Sequence, residues 1–152
     1  MGVIQAKRNQ STAEFITSAI NLRAFSVKVV AKFPKKYTFY GLHHTYELAQ
    51  LIVDDLVRAN SLYFAKDKTE NYKARHDLFD KALGNLNCLS THIVYLFDLL
   101  DKKTPPKEQK VLTQNTKTKE LWQRWGSLIN ETKKLVLAIR DSDTCRLKNL
   151  GA

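Results

Sequence analysis

Apolar residues recur at alternating spacings of three and four along four long stretches of this 152-residue chain. The first reads Phe15, Ala19, Leu22, Ser26, Val29, Phe33, and the second Leu42, Tyr46, Ala49, Val53, Leu56, Asn60, Tyr63. The third is an unbroken heptad series, Tyr72, His76, Phe79, Leu83, Leu86, Ser90, Ile93, Phe97, Leu100, and the last is Trp122, Trp125, Ile129, Thr132, Val136, Ile139. Such spacing places each set on one narrow face of a helix, and a helix with a single apolar seam buries it against others of its kind. The pattern predicts an all-α protein, an up-and-down antiparallel four-helix bundle.

The interruptions agree with the periods. Breaks fall at Phe33-Pro34-Lys35-Lys36-Tyr37, at Ala65-Lys66-Asp67-Lys68 and at Asp101-Lys102-Lys103-Thr104-Pro105-Pro106. Ser11-Thr12-Ala13-Glu14 and Asp67-Lys68-Thr69-Glu70 each set a capping oxygen three residues ahead of a Glu that reaches back, which marks a helix start. Thr104 before Pro105 is a third start, because proline at the first helical position forgoes no hydrogen bond. Pro34 ends the first helix. The expected helices span 12–33, 39–64, 68–101 and 105–141 in one domain over 1–152, with frayed tails at 1–10 and 142–152. Gln114-Asn115-Thr116-Lys117-Thr118 lacks apolar anchors and is where the fourth helix would divide into a short and a long piece.

Polar residues on the seams, Asn60, His76 and Ser90, either pair across the bundle and fix its register or face a second subunit. Trp122, Trp125 and Gly126 carry the same two readings: indoles beside a helical glycine are ordinary core packing, and they are also a good subunit anchor. A glycine costs about 1 kcal/mol in a helix interior, which points to close approach of another backbone at Gly126.

A hydrophobic share of 43% in a chain of this size builds a core without metals or cross-links. Two cysteines, Cys88 and Cys145, exclude a disulfide scaffold and point to a cytoplasmic protein. The longest uncharged stretch, Ala82 to Phe97, contains Asn85, Asn87, Ser90 and His92 and falls short of the roughly 20 apolar residues of a membrane span. No membrane partner is expected.

Charge changes the picture more. The net charge is +10, and it is unevenly placed. Residues 1–36 hold seven basic side chains against Glu14 alone, whereas residues 37–100 hold six against eight acidic ones. Residues 101–152 supply the remaining +6. In an up-and-down bundle the first and fourth helices are neighbours, so one side is basic and the other slightly acidic. The same topology gathers Lys32, Lys35 and Lys36 at one end with Lys102, Lys103, Lys107 and Lys110. A concentrated positive field attracts phosphate backbones and releases their counterions, so this end is the expected contact with RNA or DNA. Lysine-rich loops also serve solubility alone. Tyr37, Phe39 and Tyr40 beside Lys35 and Lys36 offer stacking surfaces for bases or staple the second helix to the core.

No catalytic constellation accompanies the charge. His43 and His44 are adjacent with Glu47 a turn later, and Cys88 with His92 is an isolated pair, short of the three or four converging ligands zinc needs. There is no Glu-x-x-His pair, no Gly-rich phosphate loop, no nucleophile elbow, and no Arg four to six residues ahead of a His as in one class of small helical ribonuclease. The expectation is a protein that is not an enzyme and has no metal or cofactor.

Phe33-Pro34-Lys35, Tyr40-Gly41-Leu42 and Leu56-Val57-Arg58-Ala59-Asn60, in that order and spacing, resemble a family of small basic four-helix-bundle proteins. The family includes the accessory variability determinants of diversity-generating retroelements and the proteins encoded in intervening sequences of large-subunit ribosomal RNA genes; the likeness covers about residues 12 to 141. For the accessory determinants it implies a homo-oligomer, a homopentameric barrel, whose positive surface binds template RNA and the retroelement's reverse transcriptase. Trp125-Gly126 is similar to the Gly and Trp that members commonly place in the last helix, though not in the family's Gly-Gly-Trp order. The intervening-sequence branch typically has Asn-Ile-x-Glu-Gly after the second helix, where this chain has Ala59-Asn60-Ser61-Leu62-Tyr63. That favours the retroelement branch; the alternative is a protein-interaction bundle of the intervening-sequence type, without a reverse transcriptase partner, whose charge meets an acidic protein.

Overall fold

Phe15, Ala19, Leu22, Ser26 and Val29 all turn inward, as the spacing of the first stretch requires. They lie on α1, Glu14–Val30, followed by a 3-10 helix Lys35–Tyr40, then α2, Leu42–Ser61, α3, Glu70–Lys103, and α4, Thr116–Gly151. The computed structural model describes residues 14–66, 69–103 and 116–151, with backbone alone at 39–40, 99–103 and 116–118. Among the described residues there is no strand. α1 packs against α2 and α4, and α3 against the same two. Contacts between α3 and α4 run Tyr72 with Thr144, Asp80 with Arg140, Asn87 with Lys133 and Phe97 with Trp122, one number falling as the other rises. Ser18 with Thr132 and Ser26 with Trp125 show the same antiparallel sense between α1 and α4. The architecture is the up-and-down four-helix bundle.

The seams of α2 and α3 are broader than the sequence reading: Val53 and Leu83 are buried as expected, and a second set of positions one residue earlier is buried beside them. On α2, Thr45, Ile52 and Ala59 join Leu42, Ala49 and Leu56 inside, while Tyr46 and Tyr63 are 43% and 66% exposed and Asn60 faces outward. On α3, Ala82, Leu89 and Leu96 join Phe79, Leu86 and Ile93, and Ser90 is exposed. His76 is half-buried. Asn60 and Ser90 therefore do not pair across the bundle. A hydroxyl is tolerated inside because its own helix satisfies it: Thr45 Oγ1 donates to the Gly41 carbonyl at 2.9 Å and Ser26 Oγ to the Leu22 carbonyl at 2.7 Å.

The first connection is tighter than expected. α1 winds down through 3-10-type bonds from Lys32 N to Val29 O and Phe33 N to Val30 O, Pro34 starts the 3-10 helix, and buried Tyr37 holds that helix to the core. Gly41 then turns the chain into α2 with φ +123°, so α2 begins at 42 rather than 39. Its carbonyl accepts the Thr45 N–H at 2.9 Å and lies 2.9 Å from His92 Nε2, which must carry the proton there because a carbonyl only accepts. A Cβ at position 41 would stand 2.5 Å from that imidazole.

The C-terminal segment is not frayed. α4 continues to Gly151, and Asp143 is buried. Asp143 Oδ2 accepts from Arg75 Nε at 2.5 Å, and Arg75 also donates to the carbonyls of Ala59 and Leu62 at 3.2 and 3.4 Å. Arg146 donates to the Phe64 carbonyl at 2.5 Å and lies over the Phe64 ring, while Asn71 Nδ2 takes the Tyr63 carbonyl at 2.6 Å. These side chains satisfy the end of α2 and the connection behind it, whose backbone would otherwise be buried without partners. The start signals at Ser11-Thr12 and Thr104-Pro105 lie outside the described residues, as does the chain from 104 to 115.

Candidate nucleic-acid interface

The basic side chains of the bundle divide by what they touch. Arg75 is committed to Asp143, Arg140 to Asp80 at 2.7 Å, Arg58 to buried Asp55 at 3.4 Å, and Arg146 to the Phe64 carbonyl. These cations hold the fold. Lys28, Lys32, Lys35 and Lys36 are exposed where α1 gives way to the 3-10 helix, with the Lys36 ammonium 5.4 Å from the Tyr37 ring.

Aromatic contacts bring the start of α4 to the same end. Phe33 meets Phe97 edge-on at 5.7 Å, and Phe97 meets Trp122 at 4.9 Å. Lys119 and Arg124, both exposed, flank Trp122, and the Arg124 guanidinium reaches back to within 5.9 Å of the Phe25 ring on α1. Lys32, Lys35 and Lys36 are exposed at this end, with Lys119 and Arg124, two cations the sequence reading did not single out. The side chains of Lys102 and Lys103, and all of Lys107 and Lys110, lie outside the described residues.

Of the expected subunit anchors, Trp125 is corrected. It is wholly buried, with Nε1 donating to Ser26 Oγ at 2.9 Å, so it belongs to the α1–α4 core and has no outward face. Trp122 is 39% exposed. Among the described residues, no atom beyond its own helical turn stands within 4 Å of where a Cβ on Gly126 would be, so the close backbone approach the sequence suggested there is not seen among them. Instead Trp122 and Gly126 line an open groove of about 280 Å³ between α3 and α4, with Ser90, Ile93, Val94, Gln123 and Ile129.

The histidines have contacts within the chain, at the surface for His43 and His44. His43 Nε2 lies 3.1 Å from Glu47, His76 Nε2 3.4 Å from Asp80, and His92 is committed to Gly41. Among the described residues no group of three or more His, Cys, Asp or Glu is placed to hold a metal ion, and no helix is long and apolar enough to cross a membrane.

Sequence reasoning missed the groove between α3 and α4, whose only signal is a glycine one turn after a tryptophan. It also missed a wider apolar groove of about 430 Å³ on the outer side of α1 and α2, where Val27, Val30 and Ala31 face Thr38, Leu42 and Tyr46. The Arg75–Asp143 pair had a legible trace, since Ile139, Asp143 and Arg146 continue the seam of α4 by four and three. The chain matches no protein-family model, no curated protein and no solved structure.

Proposed function

We propose that this bundle is a non-catalytic accessory protein that binds the backbone of template RNA or DNA and works beside a separate reverse transcriptase, as in a diversity-generating retroelement. The observation that carries the reading is the group of exposed cations where α1 gives way to the 3-10 helix and α4 begins. Lys28, Lys32, Lys35, Lys119 and Arg124 are exposed around one end of the bundle, beside the exposed Lys66, Lys73, Lys81, Lys134 and Lys148 elsewhere on it, whereas Arg75 and Arg140 are ion-paired within the chain. Cations grouped in that way neutralise successive phosphates without reading bases, so binding is expected to be tight at low salt and indifferent to sequence.

The contact with protein has its own support. Ile20, Val27, Tyr46 and Val57 are each at least 40% exposed on α1 and α2. Exposed apolar residues of that kind, interleaved with the polar Arg23, Gln50 and Asp54, suit a second copy of the chain or the polymerase, and they are also what the alternative reading, a protein-interaction bundle without nucleic acid, would use.

The test is fluorescence anisotropy of labelled RNA titrated with the protein between about 50 and 200 mM salt, where several phosphate contacts cost orders of magnitude in affinity. Co-purification with a reverse transcriptase and template-directed synthesis with and without this chain complete it. Binding that ignores salt, or synthesis unchanged by the protein with no complex on a sizing column, ends the reading.

A further inference from the structure

One edge of α4 carries Lys119, Gln123, Gly126, Asn130 and Lys133 at spacings of four, three, four and three, so the five lie in a row along the helix facing α3. Gly126 is the gap in that row. Helical side chains lean toward the N-terminus, so the missing one would have covered the turn at Trp122 and Gln123; its absence opens the groove there. The floor is apolar, from Ile93, Val94 and Ile129, and Trp122 closes one end. Ser90 and Gln123 set a hydroxyl and an amide at the rim, and among the described residues no carboxylate lines the groove. Lys119 stands one turn before it and Lys133 one turn after, where the Lys133 ammonium donates to Asn87 Oδ1 of α3 at 2.9 Å. At 1.5 Å per residue the two lysines are about 21 Å apart along the helix.

We propose that this groove seats one unpaired nucleobase of single-stranded RNA, stacked against Trp122, while the strand's phosphates follow the α4 edge from Lys119 to Lys133. The inference rests on the reading of the protein as a nucleic-acid binder and adds a preference for single strands that the basic end alone does not confer. Every base has a flat π face, so an indole over an apolar floor holds it without selecting its identity, and the rim groups meet its polar edge. A duplex keeps its bases stacked inside and offers the groove nothing.

The chain has two tryptophans, and only Trp122 is accessible, Trp125 being wholly buried. Stacking is therefore expected to quench tryptophan emission when a short oligouridylate binds, and a duplex RNA is expected to bind with little quenching. Gly126→Leu fills the groove from a position with open space around it, and far-UV circular dichroism should show helicity kept or raised. It should weaken single-strand binding by about tenfold, the scale of one base stack, and leave duplex binding unchanged. Single-stranded DNA should behave as the RNA does, since stacking takes no account of the 2′-hydroxyl.

Single-strand binding without quenching, or with full affinity in Gly126→Leu, overturns the base seat and leaves backbone binding standing. Failure of both nucleic acids to bind overturns the seat and the proposed function together. A change of oligomeric state in Gly126→Leu by light scattering, with RNA affinity untouched, would assign the groove to a second copy of the chain instead.

Discussion

Ending the chain at Asp141 is expected to bring the bundle close to unfolding, although the segment removed is mostly polar. Asp143 and Arg75 have side chains only 5% and 12% exposed, so they form a buried ion pair. Removing one member of such a pair leaves a charge without compensation and costs about 3–5 kcal/mol. The truncation also removes Thr144, which meets Tyr72 Oη at 3.0 Å, and Arg146, whose bond to the Phe64 carbonyl, discounted for the exposure of the arginine, adds about 1 kcal/mol. Domains of this kind hold about 5–15 kcal/mol in all. Asp143→Ala isolates the main contribution: with a slope of about 1–3 kcal/mol per molar urea, it should lower the unfolding midpoint by about 2 M, followed by circular dichroism. Arg75→Met with Asp143→Leu removes both charges and should recover part of the loss, but not the bonds that Arg75 makes to the Ala59 and Leu62 carbonyls. A midpoint for Asp143→Ala or for the truncated chain indistinguishable from the parent would refute the reasoning and return 142–152 to the status of a tail.

Gly41→Ala should destabilise by about 2 kcal/mol or more, because the residue has φ +123° and its Cβ would meet the His92 ring; adding His92→Ala should relieve the clash but not the backbone strain, which thermal melts of the three variants would resolve. Ser26→Ala leaves the buried Trp125 Nε1–H without an acceptor and should cost about 1–3 kcal/mol in the same urea assay, much of it regained with Trp125→Phe if the hydrogen bond rather than volume is at stake. Replacing Lys32, Lys35 and Lys36 with Glu should weaken RNA binding alike across sequences and flatten the salt dependence by about 0.7 for each single-strand phosphate no longer neutralised, with helicity unchanged; equal binding would reduce the cluster to a solvated loop. Light scattering at micromolar concentration should show more than a monomer, and Tyr46→Glu among the exposed apolar residues of α1 and α2 should restore the monomer if they carry the contact.

The number of helices, their order and the uneven charge are legible in the residues alone, because they follow from periodicity, from breakers such as Pro34 and from simple counting. The inward face of α1 is legible residue by residue, since Phe15, Ala19, Leu22, Ser26 and Val29 are all buried, while Ile20 and Val27 one residue along are left exposed. On α2 and α3 two overlapping seams run one residue apart, on α2 one through Tyr46 and Asn60 and one through Thr45 and Ala59, and in the packed bundle the second is buried. On α2 Thr45 and Ala59 lie inside and Tyr46 and Tyr63 outside, and on α3 Leu89 lies inside where Ser90 does not. The length of α4 was decided in the same way: Asp143 reads as a surface residue until Arg75 arrives from another helix to compensate its charge. The roles of the two tryptophans and the open groove at Gly126 depend on which side of α4 meets α1 and which meets α3, a choice made by packing among elements far apart in the chain and invisible to any local pattern.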